Sequence, residues 1–276
     1  MLHRRTRGAS RASPMIRMIH LLRRGNNVDD DGFTSHWRDV HGPLVASVQT
    51  DLDIVRYVQL HRDRSGQDID QKAALARGGM RPAFDGIAEY WWRSENALRD
   101  ALASSKGKAA SIKLLDSERQ IADLDQSPLW FAAEYPQVAT SLRRPVAFVR
   151  SGVVRLHFAL EARSGLTPAE AQLYWLRTHG PLIRSHAPAR GLLAYNQVHK
   201  IEDPANFGTP WPARNADCAF IGHAESWFQR PGPETPPPEM AAAMEAAIAD
   251  ERRFIELSRS TIFVGKELVF VDREWT

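Results

Sequence analysis

The chain reads as an α+β molecule: two ferredoxin-like βαββαβ repeats packed sheet to sheet in one polypeptide, an intramolecular pseudo-dimeric α/β barrel. Three observations predict this. First, Trp37-Arg38-Asp39-Val40-His41-Gly42-Pro43-Leu44 recurs as Trp175-Leu176-Arg177-Thr178-His179-Gly180-Pro181-Leu182, displaced by 138 positions. The displacement holds without insertion from Met15 to His61, setting Arg17 on Arg155, Leu22 on Leu160, Tyr57 on Tyr195, Gln59 on Gln197 and His61 on His199. Two copies of this length are a duplicated domain and not a solenoid. Second, each copy carries the order strand-helix-strand-strand-helix-strand. Third, such a unit covers one face of its sheet and leaves the other bare, so two bare faces in one chain can bury each other.

Each element has a local reason. Met15 to Leu22 is short, apolar and flanked by Arg-Gly-Asn-Asn, which reads as a strand, with Val153 to Leu160 as its counterpart. In the second half Thr167-Pro168-Ala169-Glu170 supplies a cap, a proline at the first helical position and a reciprocal glutamate. In the first, Asp29 to Asp31 put negative charge at the helix start, and Phe33, Trp37 and Val40 share one face. The Gly-Pro pairs at 42–43 and 180–181 are expected to interrupt that helix. Ile54 to His61 and Leu192 to His199 alternate as second strands, and Gly86 to Trp92 and Gly222 to Phe228 as third strands. A further helix is clearest from Met240 to Leu257, and fourth strands lie near 129–138 and 261–271. Between second and third strands, 62–83 and 200–217 are long loops, a length associated with lids and binding segments. The expected division is an N-terminal disordered extension (1–14), repeat 1 (15–138), a connector (139–150) and repeat 2 (151–276).

Composition narrows the function. Charged residues at 25% and hydrophobic ones at 43% are ordinary for a globular chain. Four of the 36 basic residues are the arginines of the first 14 positions, where no acid occurs; the remaining 32 face 33 acids. A near-neutral body argues against a nucleic-acid partner. No run approaches the ~20 apolar residues of a membrane span, and the single cysteine, Cys218, points to a reducing cytoplasm. There is no HExxH, no paired cysteine, no GxGxxG and no Walker-type loop, so neither metal nor nucleotide cofactor is expected.

The polar residues that both halves carry are the candidates for chemistry. His41 and His179 precede the Gly-Pro pairs; each is either a proton carrier near neutral pH or a histidine satisfied at a helix end. Tyr57, Gln59 and His61 alternate and so share one strand face, as do Tyr195, Gln197 and His199; they line a cavity or satisfy one another at an interface. Glu89 and Glu225 sit in apolar company, either as carboxyls raised by desolvation or as buried partners of Arg17 and Arg155. Trp37 and Trp175 fit helix-on-sheet contacts or the wall of an apolar pocket. His223, opposite Ile87, occurs in the second half alone and hints that the halves are not equivalent.

Through Phe33, Trp37, Arg38, His41, Gly42, Pro43 and Leu44, then Tyr57 to His61 and Asp85-Gly86-x-Ala88-Glu89, the chain resembles a tandem EthD-domain protein of the dimeric α/β-barrel superfamily. The resemblance spans nearly everything after residue 14 and is closer in the first half; Leu176 stands in place of Arg38 and Ile221 in place of Asp85. It implies a cavity between sheet and helices, and relatives that are often small cofactor-free enzymes: isomerases, cyclases, decarboxylases and monooxygenases of activated phenols. The expectation is a cofactor-independent enzyme doing proton-transfer chemistry on a small apolar or aromatic carbonyl or phenolic compound. His41 and His179 would move the proton, with Tyr57, Tyr195, His61 and His199 orienting an oxyanion. Alternatives are a cofactorless monooxygenase and a non-catalytic binding protein. Assembly of tandem units into a homo-oligomer stays open.

Overall fold

Residues 15–201, 218–232 and 235–273 are described in a computed structural model, without the side chains of 66–68. The expected extension before residue 15 and most of the second long loop (202–217) lie outside the described residues.

The first half runs β1 (Ile16–Leu22), α1 (Asp30–His36), a π-helical turn (Trp37–His41), α2 (Gly42–Ser47), β2 (Arg56–Arg62), α3 (Gln67–Ala76), β3 (Gly86–Trp92), α4 (Glu95–Ala103), α5 (Ser105–Glu118) and β4 (Leu129–Ala139). The second repeats the order with β5 (Val153–Glu161), α6 (Pro168–Tyr174), a π-helical turn (Trp175–His179), α7 (Gly180–His186), β6 (Leu192–Lys200), β7 (Phe220–Gln229), α8 (Pro238–Glu251) and β8 (Thr261–Asp272). The caps act as their sequences suggest. Asp29 accepts from the Gly32 amide, and Thr167 and Glu170 form a reciprocal capping box.

Three local expectations need correction. The Gly-Pro pair does not interrupt the helix: Gly42 and Gly180 are right-handed helical, and the chain passes from α1 to α2, and from α6 to α7, through one π turn. Widening the turn absorbs the missing proline N–H and its ring. Glycine is needed there for close approach, since a Cβ on Gly42 would lie 2.3 Å from the Phe270 ring and one on Gly180 would lie 2.7 Å from Gln137 Oε1. The stretch read as a loop at 62–83 holds α3, whose sequence lacks an apolar face strong enough to announce it. The last helix stops at Glu251 instead of Leu257, because Phe254 and Ile255 turn inward.

All strand pairings are antiparallel. Within the halves the orders are β4-β1-β3-β2 and β6-β7-β5-β8; β2 then pairs with β8 and β4 with β6, closing an eight-stranded barrel. Pleating sends alternate side chains to two environments. Outward residues such as Met18, Tyr57, Tyr90 and Leu160 pack beneath the helices in two separate clusters, one per half. Inward residues, among them Ile19, Leu60, Ile87, Trp130, Val198 and Phe263, fill the lumen. Thus the bare faces of the two sheets cover each other.

Candidate functional site

The pleat also sorts the candidate residues. Arg17, Arg155, Glu89, Glu225 and His223 face the lumen; Tyr57, Gln59, His61 and their copies face the helices with His41, His179, Trp37 and Trp175. The sequence does not separate these sets. The structure does, on opposite sides of one sheet.

In the lumen the arginines and glutamates partner one another. Arg17 donates to Glu89 (2.6 Å), Arg155 donates to both Glu89 oxygens (2.6 and 2.5 Å), and both guanidiniums also reach Glu225. Arg155 extends to Glu267 (2.9 Å), which also accepts from Trp227 Nε1 (2.9 Å). Burial alone would raise the Glu225 carboxyl, but the Arg155 and Arg17 guanidiniums outweigh it and hold it well below the usual carboxylate range. Glu89 is lowered in the same way. Glu89, His223 and Glu225 bring ligand-type atoms within 4.8 Å of one another. Two guanidiniums already stand there as the cations those carboxylates need. This is the ion-pair arrangement, and it ties β1 and β3 of one half to β5, β7 and β8 of the other.

On the helix side the polar stripe fastens the π turns. Gln59 donates to the Trp37 carbonyl (2.7 Å) and to the Tyr57 hydroxyl (3.0 Å), while its oxygen meets His61 Nε2 at 2.8 Å. Gln197 does the same for Trp175 (2.8 Å) and His199 (3.0 Å). The rings of His61 and His199 lie against Trp37 and Trp175, with centroids 4.3 and 4.5 Å apart. Burial pushes His61 down to about 3 and His199 down to about 4, so both are neutral at ordinary pH.

The two halves diverge at the leading histidines. His41 has both nitrogens occupied, Nδ1 by Ser117 Oγ at 3.1 Å and Nε2 by Tyr90 Oη at 3.4 Å. Tyr90 also packs on Tyr57 (4.5 Å between centroids), and Phe270 closes over Tyr57 at 5.9 Å. In the second half Ser226 occupies the place of Tyr90 and Gln137 that of Phe270. Ser226 lies on the wall of a cavity of about 40 Å3 that Trp175, His179, Tyr195, Glu251 and Phe254 also line. Gln197 and His199 are not on that wall.

His179 Nδ1 pairs with Asp250 Oδ2 at 2.8 Å, and Nε2 makes no hydrogen bond among the described residues. Tyr174 donates to the other Asp250 oxygen at 2.7 Å. Burial pushes the Asp250 carboxyl up, but the hydrogen bonds from His179 and Tyr174 outweigh it, keeping Asp250 below its ordinary range and ionised. Tyr195 accepts from Trp175 Nε1 at 2.9 Å, and burial raises its phenol to about 12. It therefore acts as a neutral hydrogen-bond donor. A carboxylate-held imidazole beside a neutral phenol can exchange a proton with a bound molecule and hydrogen-bond the oxyanion that results.

Asp250, Glu251, Tyr174, Arg77 and Arg190 were not among the residues singled out in the sequence. Glu251 is held bidentately by Arg77 (2.8 and 2.8 Å), which comes from the segment after α3 in the first half and lies over Phe158. The internal repeat contains a signal for two of them: at a displacement of 133, Glu118 falls on Glu251 and Ser117 on Asp250.

No curated protein matches the chain. Among solved structures, an anthrone oxidase-like protein is 10% identical with a TM-score of 0.53, covering 95% of each chain. A candidate monooxygenase from Lactobacillus acidophilus NCFM is 10% identical with a TM-score of 0.47, covering 95% of this chain and 97% of its own. At 10% identity the likeness to the anthrone oxidase-like protein speaks for the fold alone. The EthD domain matches twice, over residues 26–125 and 163–258. With both halves matched and the barrel closed between them, the chain belongs to the EthD-domain family as a tandem member of the dimeric α/β-barrel superfamily.

Proposed function

We propose that the chain is an enzyme that moves a proton on a small, largely apolar compound bearing a carbonyl or phenolic oxygen, and that the second half does the work. The observation that carries this reading is the Asp250–His179 pair opening onto a cavity that Tyr195 also lines. His179 Nε2 takes the proton, Asp250 stabilises the imidazolium and fixes the tautomer, and Tyr195 donates to the developing enolate or phenolate. The first half is the structural copy, its His41 capped by Tyr90. A substrate larger than a few waters needs the wall to open, and the part of that wall lent by the first half is the segment carrying Arg77.

The test is deuterium exchange, followed by NMR in D2O, at carbons next to the carbonyl of aryl 1,3-diketones and at ring positions of polyhydroxyphenols. Wild-type protein accelerates exchange in at least one class. His179→Asn removes about 10²-fold or more of that rate, within the range of general-base contributions, whereas His41→Asn leaves most of it. Equal losses in both variants, or no exchange anywhere in the panel, would refute the assignment. Deprotonation is also the first step of a cofactorless oxygenation, a reading favoured by the neighbour named as anthrone oxidase-like. Oxygen uptake with a substrate that exchanges separates the two. Tight binding without turnover would instead identify a carrier.

A further inference from the structure

Arg190 stands where the first half has Leu52. The register is secure, because Asp53 and Gly191, the residues that follow, are both left-handed (φ 49° and 61°). Leu52 is fully buried in the first-half core, whereas Arg190 is half-buried and lines the second-half cavity. The other charges around that cavity are partnered: Arg77 with Glu251 and His179 with Asp250. Arg190 makes no side-chain hydrogen bond and no ion pair among the described residues. Glu251, the acid on the same wall whose charge acts on it, already has both oxygens engaged by Arg77. Burial lowers the Arg190 guanidinium, an effect that Glu251 only partly offsets, so its charge is poorly compensated. Apart from Tyr195 and Ser226, the rest of the wall, including Leu156, Phe158, Ile183 and Phe254, is apolar.

We infer that the compound handled in this cavity carries a delocalised oxyanion, a carboxylate or an ionised phenol or enol, and that Arg190 receives it. A planar guanidinium presents paired donors that match such an oxyanion, and an incoming anion supplies the compensation the protein withholds. The inference rests on the second-half cavity being the working site. It adds that Arg190 is a specificity residue which holds the substrate while His179 moves the proton.

Calorimetric titration of the full chain tests it with three matched pairs: acetate and acetamide, benzoate and benzamide, and 4-nitrophenol (at a pH where it is ionised) and nitrobenzene. In wild-type protein at least one anion binds about tenfold or more tightly than its neutral partner, a difference of about 1.4 kcal/mol. Which pair shows it distinguishes carboxylate from phenolate. Arg190→Leu, which installs the first half's own residue, abolishes the preference, as does Arg190→Gln. Arg190→Lys keeps part of it. His179→Asn keeps the preference while losing exchange activity, so failure of the catalytic reading is separable from failure of this one. Absence of any anion preference in the wild type, or an undiminished preference in both Arg190→Leu and Arg190→Gln, would overturn the inference.

Discussion

A histidine on a sheet can be a proton carrier or a well-packed ring, and the sequence does not say which. The duplicated stripe was legible as a set of matched polar residues, because each recurs 138 positions on. Its division of labour was not. Gln59 and Gln197 bond the π-turn carbonyls, and His61 and His199 are neutral rings stacked on tryptophan. The residue that makes His179 a candidate base, Asp250, sits 71 positions away at the end of α8. Only the folded chain brings it there. The depressed imidazoles have a measurable consequence. Their folded pKa values, about 3 for His61 and about 4 for His199, lie below the unfolded value of about 6.5. The unfolded chain therefore takes up protons first. The stability that these groups contribute is full above about pH 7 and is lost as pH falls from about 6.5 toward 4 for His199 and toward 3 for His61, by up to about 1.4 kcal/mol per pH unit for each ring. Urea unfolding at several pH values should show this slope, and His61→Gln with His199→Gln should flatten it. A stability independent of pH in that window would count against these burial effects.

At the scale of elements, strands were the most readable part, since a short apolar run beside turn residues marked the first and alternation the second in each half. The helices were harder to place. The Gly-Pro pair, read as a stop, follows a π turn and opens the next helix, because the sequence signal for a break and for a widened turn is the same proline. Helix α3 lacks a strong apolar face, and its value appears in the fold, where it positions Arg77 against Glu251 and Asp70 against the Val264 amide of β8. Removing Arg77 leaves a buried carboxylate without its cation. Arg77→Ala is therefore expected to destabilise the protein by about 3–5 kcal/mol in chemical denaturation. Arg77→Leu combined with Glu251→Leu should recover much of that loss, because an apolar pair removes both desolvation penalties. If the double variant is no better than Arg77→Ala, the ion pair is not what fixes this segment.

At the scale of the molecule, the barrel was predictable from the repeat and the bare sheet faces, and the residues that make the two halves unequal were already in the sequence. What they mean depends on which rings meet across the barrel seam, where β8 brings Phe270 over the first half and β4 brings Gln137 over the second. Tyr90 and Ser226 complete the contrast. Ser226→Tyr should copy the filled arrangement into the second half, leave secondary structure and unfolding midpoint nearly unchanged, and cut exchange activity by about tenfold or more by closing the space in front of His179. Retention of full activity in a folded Ser226→Tyr protein would show that the cavity is not where the chemistry happens.

Joining the repeats in one polypeptide has a further effect. When identical subunits associate, every amino-acid change is imposed on both reaction chambers at once, so neither can be sacrificed to buttress its twin. A single gene encoding both lifts that constraint. One chamber can be plugged with aromatic rings and lend an arginine across the seam, while the other alone acquires the guanidinium that its leucine-bearing sister never needed.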